Sequence, residues 1–322
     1  MRIAILTMVA IAFLAGVVWW LAPTFMVGDN DMSEPRSEIH AATHDGTIYT
    51  AGGIGFFRTL KSCEAYDTRA SEWRECPDLP RSLHHVAMAA SGTRIFASGG
   101  YSSLPFNADP DAALFALDPA DHGAGWQELA KLPTTLGQHA MVFRDDGLFL
   151  IGGESGGETV ATSHHYNLST SEWSLKSPMP TPRHSHAVAM DDARLYVTGG
   201  RSPSLGDAST VVEAYDFAKD TWSVLPHAPF ELGGHGAAVV DGRLHVFGGE
   251  SLDSGTVLAD HYSLNLADWD EGWREEPKVP QPRHGFATAA VGARIYILGG
   301  GARAGLNTPW SVTGTPQIIF DK

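Results

Sequence analysis

Short alternating runs of apolar and polar residues, punctuated by turn residues, fill most of this 322-residue chain. Pro182 to Trp222 shows the unit. Pro182-Arg183-His184-Ser185-His186 leads into Ala187-Val188-Ala189-Met190, and a polar turn follows at Asp191-Asp192-Ala193. Arg194-Leu195-Tyr196-Val197-Thr198 ends in Gly199-Gly200; after a loop come Val211 to Asp216 and then Lys219-Asp220-Thr221-Trp222. Four period-2 runs separated by turns predict a four-stranded antiparallel meander.

The unit recurs. Glycine pairs stand at 52–53, 99–100, 152–153, 199–200, 248–249 and 299–300. A spacing of about 50 residues with four strands per unit is a propeller signature. Tyr66-Asp67, Leu117-Asp118, Tyr166-Asn167, Tyr215-Asp216, Leu264-Asn265 and Phe320-Asp321 mark third strands. Trp73, Trp126, Trp173, Trp222 and Trp273 open fourth strands. On these residues the chain resembles the Kelch family over roughly residues 24–322, which implies an all-β, six-bladed Kelch-type β-propeller. Glycine after the second strand permits close approach of the next blade. The Tyr and Trp rings supply the apolar faces on which blades stack.

The exception to the alternation is Ile3 to Ala22, apolar throughout except for Thr7. About 20 such residues span a bilayer. Arg2 before the run and Asp29 and Asp31 after it place the propeller outside the cytoplasm, on the periplasmic side. Residues 1–23 are thus expected to be a transmembrane anchor or signal segment, and residues 24–322 the propeller. The run is long for a signal peptide, lacks an Ala-x-Ala site before Pro23 and carries Trp19-Trp20 as an interfacial anchor, which favours retention. Secretion after cleavage is the alternative. Gly28 to Glu34 is expected to be a solvated acidic linker; it lacks the spacing of a calcium loop.

Composition adds little to the fold and more to the partners. Thirty-five glycines and 43% hydrophobic residues suit an all-β repeat protein. A net charge of −15 argues against nucleic acid and against anionic lipid surfaces, leaving membrane contact to the N-terminal segment alone.

Both cysteines fall in blade one. If Tyr66 faces Trp73 across the outer hairpin, Cys63 faces Cys76, and an oxidising location then favours a disulfide over two buried thiols. Blade six runs out at Ile318-Ile319-Phe320-Asp321 with no Trp-led fourth strand. The missing strand is expected from Thr24 to Val27, entering the ring at its rim and removing an exposed edge.

Loops after the glycine pairs share a face with the loops between blades, and the opposite turns, such as Asp45-Gly46 and Asp241-Gly242, are tight. Binding is expected on the long-loop face. Thirteen residues before the first glycine stand Ile39, Val86, His139, His186, His235 and Phe286. Sixteen before it stand Arg36, Leu83, Leu136, Arg183, Leu232 and Arg283. Just after the pairs stand Glu154, Arg201 and Glu250. The ligand candidates are therefore Arg36, Arg183, Arg201, Arg283, Glu154, Glu250, His139, His186 and His235. Arginines bind carboxylates bidentately, but structural pairing is the commoner role of buried arginines. The three histidines lack confirming ligand spacing, so no metal and no cofactor is expected.

No phosphate loop, His-Glu-x-x-His or serine elbow is present. Two functions remain. One is an extracytoplasmic binding module for a protein or an acidic glycan. The alternative is a sugar-active enzyme similar to the periplasmic sialic-acid mutarotases, also Kelch propellers, with Glu and Arg moving protons; that resemblance extends to fold and location only.

Overall fold

A computed structural model describes residues 30–103, 110–203 and 208–320. Blade one pairs Ala42–His44, Thr47–Ala51, Cys63–Asp67 and Glu72–Cys76 in sequence order, all antiparallel. Blades two to five repeat that four-stranded meander over residues 87–131, 140–176, 187–224 and 236–275. Blade six has three strands among the described residues: Ala287–Val291, Arg294–Leu298 and Gln317–Phe320. No described helix is long and apolar enough to cross a membrane, and the apolar run 3–22 lies outside the described residues, as does the expected strand Thr24–Val27.

The glycine pairs hold the ring together. Each second glycine donates its N–H to the carbonyl sixteen places before the next pair, from Gly53 to Leu83 (2.8 Å) round to Gly300 to Arg36 (2.8 Å), which joins blade six to blade one. The first glycine is as constrained: at φ +70 a Cβ on Gly52 would stand 2.2 Å from the Leu83 carbonyl oxygen. Only glycine satisfies both demands.

Six apolar clusters fill the six seams between blades, one per seam. The expected Tyr–Trp pairs meet across the outer hairpins, with Tyr66–Trp73, Tyr166–Trp173 and Tyr215–Trp222 at 5.1, 4.8 and 5.2 Å. Each Trp from blade two to five also donates its indole N–H to the preceding blade: Trp126 to the Pro77 carbonyl, Trp173 to Lys131, Trp222 to Ser177 and Trp273 to Pro226. Cys63 faces Cys76 in register and the two form a disulfide, with Cα atoms 5.0 Å apart.

The solvated linker expected over Gly28 to Glu34 fails over its described part. Met32 is fully buried in the seam between blades six and one and donates its N–H to the Gly314 carbonyl. Ser33 and Glu34 donate theirs to the Glu64 carboxylate. The reason is register: Met32 stands four residues before Arg36, as buried Leu79, Leu132, Met179, Ala228 and Val279 stand before their counterparts.

Candidate functional site

The register of each residue along the innermost strand decides whether it faces a seam or the mouth of the ring. Sixteen before the glycine pair, Arg36, Arg183 and Arg283 lie wholly inside their blades. Arg36 donates from Nε to the Glu34 carbonyl, from Nη1 to the Gly52 and Ser62 carbonyls, and from Nη2 to Ser62 Oγ and Glu64 (2.8 Å). Arg183 meets Glu213 at 2.5 Å and the carbonyls of Gly199 and Val211. Arg283 gives its protons to Gln281 and to the Gly299 and Thr315 carbonyls. Burial lowers the pKa of Arg183 and of Arg283 to about 10, which leaves both cationic at neutral pH. These guanidiniums tie the start of the innermost strand to the second and third strands, and none faces the mouth.

Thirteen before the pair, His139 and His235 point into the seam with the preceding blade. His139 Nε2 meets Ser98 Oγ at 2.9 Å and His235 Nε2 meets Thr198 Oγ1 at 2.8 Å. The residue just before the preceding glycine pair selects the partner, since Phe286 at the same register stacks on Phe247. Behind His186 that position is Ile151, and both imidazole nitrogens of His186 lack a hydrogen-bond partner. Burial lowers the pKa of His139 and of His235 to about 3 and keeps His186 neutral as well. No group of three or more His, Cys, Asp or Glu among the described residues could hold a metal ion.

The mouth is lined in part by registers outside the expected candidates. Fourteen before the pair stand Glu38, His85, Gln138, Ser185, Gly234 and Gly285, all left-handed with φ between 51 and 60. This backbone turn aims four side chains at the axis. One place earlier stand His84, His184 and His284, in alternate blades. Gly234 and Gly285, flanked by histidines, were the one visible hint of the turn.

These residues join Tyr101, Glu154, Arg201 and Glu250 in a polar ring. Glu38 meets His85 at 2.8 Å and His284 at 3.6 Å. Glu250 meets His284 at 3.4 Å and Arg201 at 2.7 Å. Glu154 accepts from the Tyr101 hydroxyl and from Gln138 Nε2 (3.1 Å), and lies 3.6 Å from His184. Burial alone would raise the Glu38 carboxyl; His85, with His284 and Arg201, outweighs it and holds that group well below the carboxylate range. Burial, then the neighbouring His85, lowers the pKa of His84 to about 4. Of the expected candidates, Arg201, Glu154 and Glu250 thus reach the mouth together. Inside the ring lies an axial cavity of about 350 Å³, walled by small residues such as Ala89, Ala189 and Ala237.

The KLHDC2/KLHL20/DRC7 Kelch-repeats domain model matches residues 77–228 and 138–312, and the Kelch motif model matches 35–80. The chain belongs to the Kelch-repeat family. It is 25% identical to beta-scruin of Limulus polyphemus, covering 82% of this chain and 30% of that protein. It is 25% identical to Kelch-like protein 26 of Danio rerio, covering 58% and 30%. The chain therefore spans about a third of the length of these curated relatives. A solved structure, "Structure of YjhT", shares the fold with a TM-score of 0.74 at 14% identity, covering 89% of this chain and 96% of that one.

Beside the mouth of this Kelch propeller lies an apolar crescent. Phe56 and Phe57, on the loop after the first glycine pair, meet Trp310, on the loop after the sixth. Their ring centroids are 5.0 Å (Phe56–Phe57), 5.7 Å (Phe56–Trp310) and 4.3 Å (Phe57–Trp310) apart. The three remain 43, 50 and 45% exposed. Leu252, 39% exposed, adjoins Gly305 on the blade-five side, where Glu250 accepts the Gly305 N–H. Phe57 holds φ +55, a region bulky residues rarely enter. Two aromatics directly after Gly55, and a tryptophan outside the fourth-strand register, were the signals that could have revealed the crescent.

Proposed function

We propose that this Kelch propeller is an extracytoplasmic protein-binding module that grips its partner on the loop face. The crescent of Phe56, Phe57 and Trp310 carries this reading. Clustered exposed aromatics are characteristic of interaction sites and dominate binding energy where they are buried by a partner. A left-handed Phe57 is strain of the kind that accumulates at ligand clamps. The adjoining polar ring supplies hydrogen-bonding groups already held in place by one another, so little ordering remains to be done on binding. The Cys63–Cys76 disulfide and the apolar run 3–22 support placement outside the cytoplasm.

An acidic glycan, and proton transfer on a sugar, suit the site less well. Arg36, Arg183 and Arg283 are committed inside blades, and Arg201 is engaged by Glu250.

The test is photo-crosslinking from benzoylphenylalanine placed at Phe56, in the full chain in its native membrane fraction. A protein adduct absent when the probe sits at Ala70, on the opposite face, is expected, and Trp310→Ala should diminish it. Identical adducts from both positions would sink the reading.

A further inference from the structure

Charge at the mouth does not balance. Glu38, Glu154 and Glu250 converge there, and among the described residues Arg201 is the one lysine or arginine within ion-pair distance of any of them. It pairs with Glu250, on the side of blades four and five. The side of blades one to three holds Glu38 and Glu154, whose side chains are 16 and 30% exposed. The Tyr101 hydroxyl and the Gln138 amide fill lone pairs of Glu154 without cancelling its charge. Arg58, beside Phe57, is held by Glu34 instead, and Arg303 is exposed to water.

A second observation lies just beneath. His186 and His235 follow the left-handed turn by one residue, wall the axial cavity and are only 4 and 7% exposed. Nδ1 of each has no hydrogen-bond partner. His235 Nε2 meets Thr198 Oγ1, and the Thr198 hydroxyl also reaches the Ala187 carbonyl. The hydroxyl proton then goes to the carbonyl, Nε2 carries the imidazole proton, and Nδ1 of His235 is a bare acceptor. Burial keeps both imidazoles neutral. A buried acceptor is costly until a donor meets it. Carboxylates above and acceptor nitrogens below suit a donor that carries positive charge.

The geometry points to a lysine or arginine side chain of the partner protein as the group this mouth receives, seated between Glu38 and Glu154. The assignment rests on the loop face being a protein-binding surface and adds the partner's chemistry. The crescent and the acidic half of the ring are one surface. Blade one supplies Glu38 as well as Phe56 and Phe57. The loop carrying Trp310 is tied to the ring where Glu250 accepts the Gly305 N–H and Thr308 Oγ1 meets His284 Nε2 at 2.9 Å. Aromatic faces attract cations, and the aliphatic stem of a basic side chain covers apolar surface while its head stays among polar groups. A basic residue beside an apolar anchor therefore fits crescent and ring together. The ring is fixed in advance. The His85 N–H donates to the Glu38 carbonyl (2.9 Å), Ser185 to Gln138 (3.1 Å) and Gly285 to Gly234 (2.8 Å), joining the left-handed turns in pairs. The net charge of −15 also draws a basic surface toward the protein.

The probes are the N-acetyl N-methylamides of lysine, norleucine and glutamate, titrated against the full chain in nanodiscs and read by ligand-observed NMR. Norleucine keeps the lysine stem and lacks its charge. The lysine probe is expected to bind about tenfold or more tightly than the norleucine probe, as a hydrogen bond to a charged group implies. Rising salt should erase that margin, and so should Glu38→Gln with Glu154→Gln. A lysine probe that fails to bind, equal binding of the norleucine probe, tighter binding of the glutamate probe, or a margin that survives salt would each overturn the assignment. The salt series uses the unmodified chain, so it decides the matter even if the double variant misfolds. The second measurement is competition with cross-linking from Phe56. Excess lysine probe is expected to suppress the protein adduct, and norleucine probe is not. An adduct undiminished by bound lysine probe would overturn the basic side chain and leave the crescent as the docking surface. No adduct at all would overturn the protein-binding reading and, with it, the assignment to a partner, whatever the probe titration shows.

Discussion

Arg183 and Arg201 lie on the same blade, near the same end of it, and do opposite things. Arg183 is sealed between strands with Glu213; Arg201 lies at the mouth with Glu250 and is partly exposed. Both belong to short salt bridges, so distance does not separate them. Burial and register do. The seam register repeats one packing problem six times and solves it with Arg–Glu, Leu or a Gln-supported Arg. The mouth register varies from blade to blade, as a surface shaped to a ligand would. A charged residue in a repeat protein is thus read first by its place in the repeat and only then by its chemistry.

The largest effect expected from this contrast is on stability. Arg183→Ala leaves Glu213 buried without its cation, and breaking one side of a buried pair costs about 3–5 kcal/mol. Arg201→Ala leaves the buried Glu250 with the Gly305 N–H and the neighbouring His284, and about 1–3 kcal/mol is expected. Urea unfolding of the two variants checks the order; equal losses would dissolve the distinction between seam and mouth.

The disulfide comes next. Cys63 and Cys76 close a short loop in the outer hairpin, so reduction is expected to cost about 3 kcal/mol or less in the chain-entropy model. Thermal melting with and without reductant measures it. The loss should be similar in the Arg201→Ala background, because the sites are distant and their effects add.

How much of this was legible in the sequence follows from how local each signal is. The glycine pairs at 52–53 to 299–300 recur because one backbone contact demands glycine every time, so blade number, strand order and the Cys63–Cys76 register could all be read. The fate of Arg36 and Arg183 could not, because Glu64 and Glu213 are 28 and 30 residues away on the third strand. The left-handed position was hidden for another reason. Glu38, His85, Gln138 and Ser185 share a conformation and no chemistry, so only Gly234 and Gly285 hint at it. Phe56 and Phe57 follow the first glycine pair and Trp310 the last, so they stand at opposite ends of the sequence and only the closed ring brings them together.

Acid should weaken the seams. His139 and His235 titrate at about 3 when folded and near 6.5 when unfolded, so the unfolded chain binds more protons between those values. Stability is then full above pH 6.5 and falls as the pH drops toward 3. At pH 5 each contributes a loss of about 2 kcal/mol. His139→Gln, which can still meet Ser98 Oγ but does not titrate, should shift the acid midpoint downward. An unchanged midpoint would mean that His139 is already charged when folded. Glu38 is depressed as well, but its contribution to stability is lost at lower pH, as the pH falls from the normal carboxylate range toward its folded value.

The smallest effect expected separates strain from packing at Phe57. The side chain is half exposed, so its truncation removes little buried area, and Phe57→Ala should change stability by about 0.5 kcal/mol or less. Phe57→Gly differs from it only in the backbone. Left-handed geometry costs an L-residue about 1–2 kcal/mol and costs glycine almost nothing. Glycine also loses more freedom on folding, by about 0.5–1 kcal/mol relative to alanine. The net is a glycine variant more stable than the alanine variant by up to about 1 kcal/mol, readable by paired urea titrations. If glycine is the less stable of the two, the φ +55 backbone is relaxed in solution and the loop is not held strained. If glycine is the more stable, the chain retains an aromatic residue at a position that favours glycine, and the stability of the fold does not supply the reason for it.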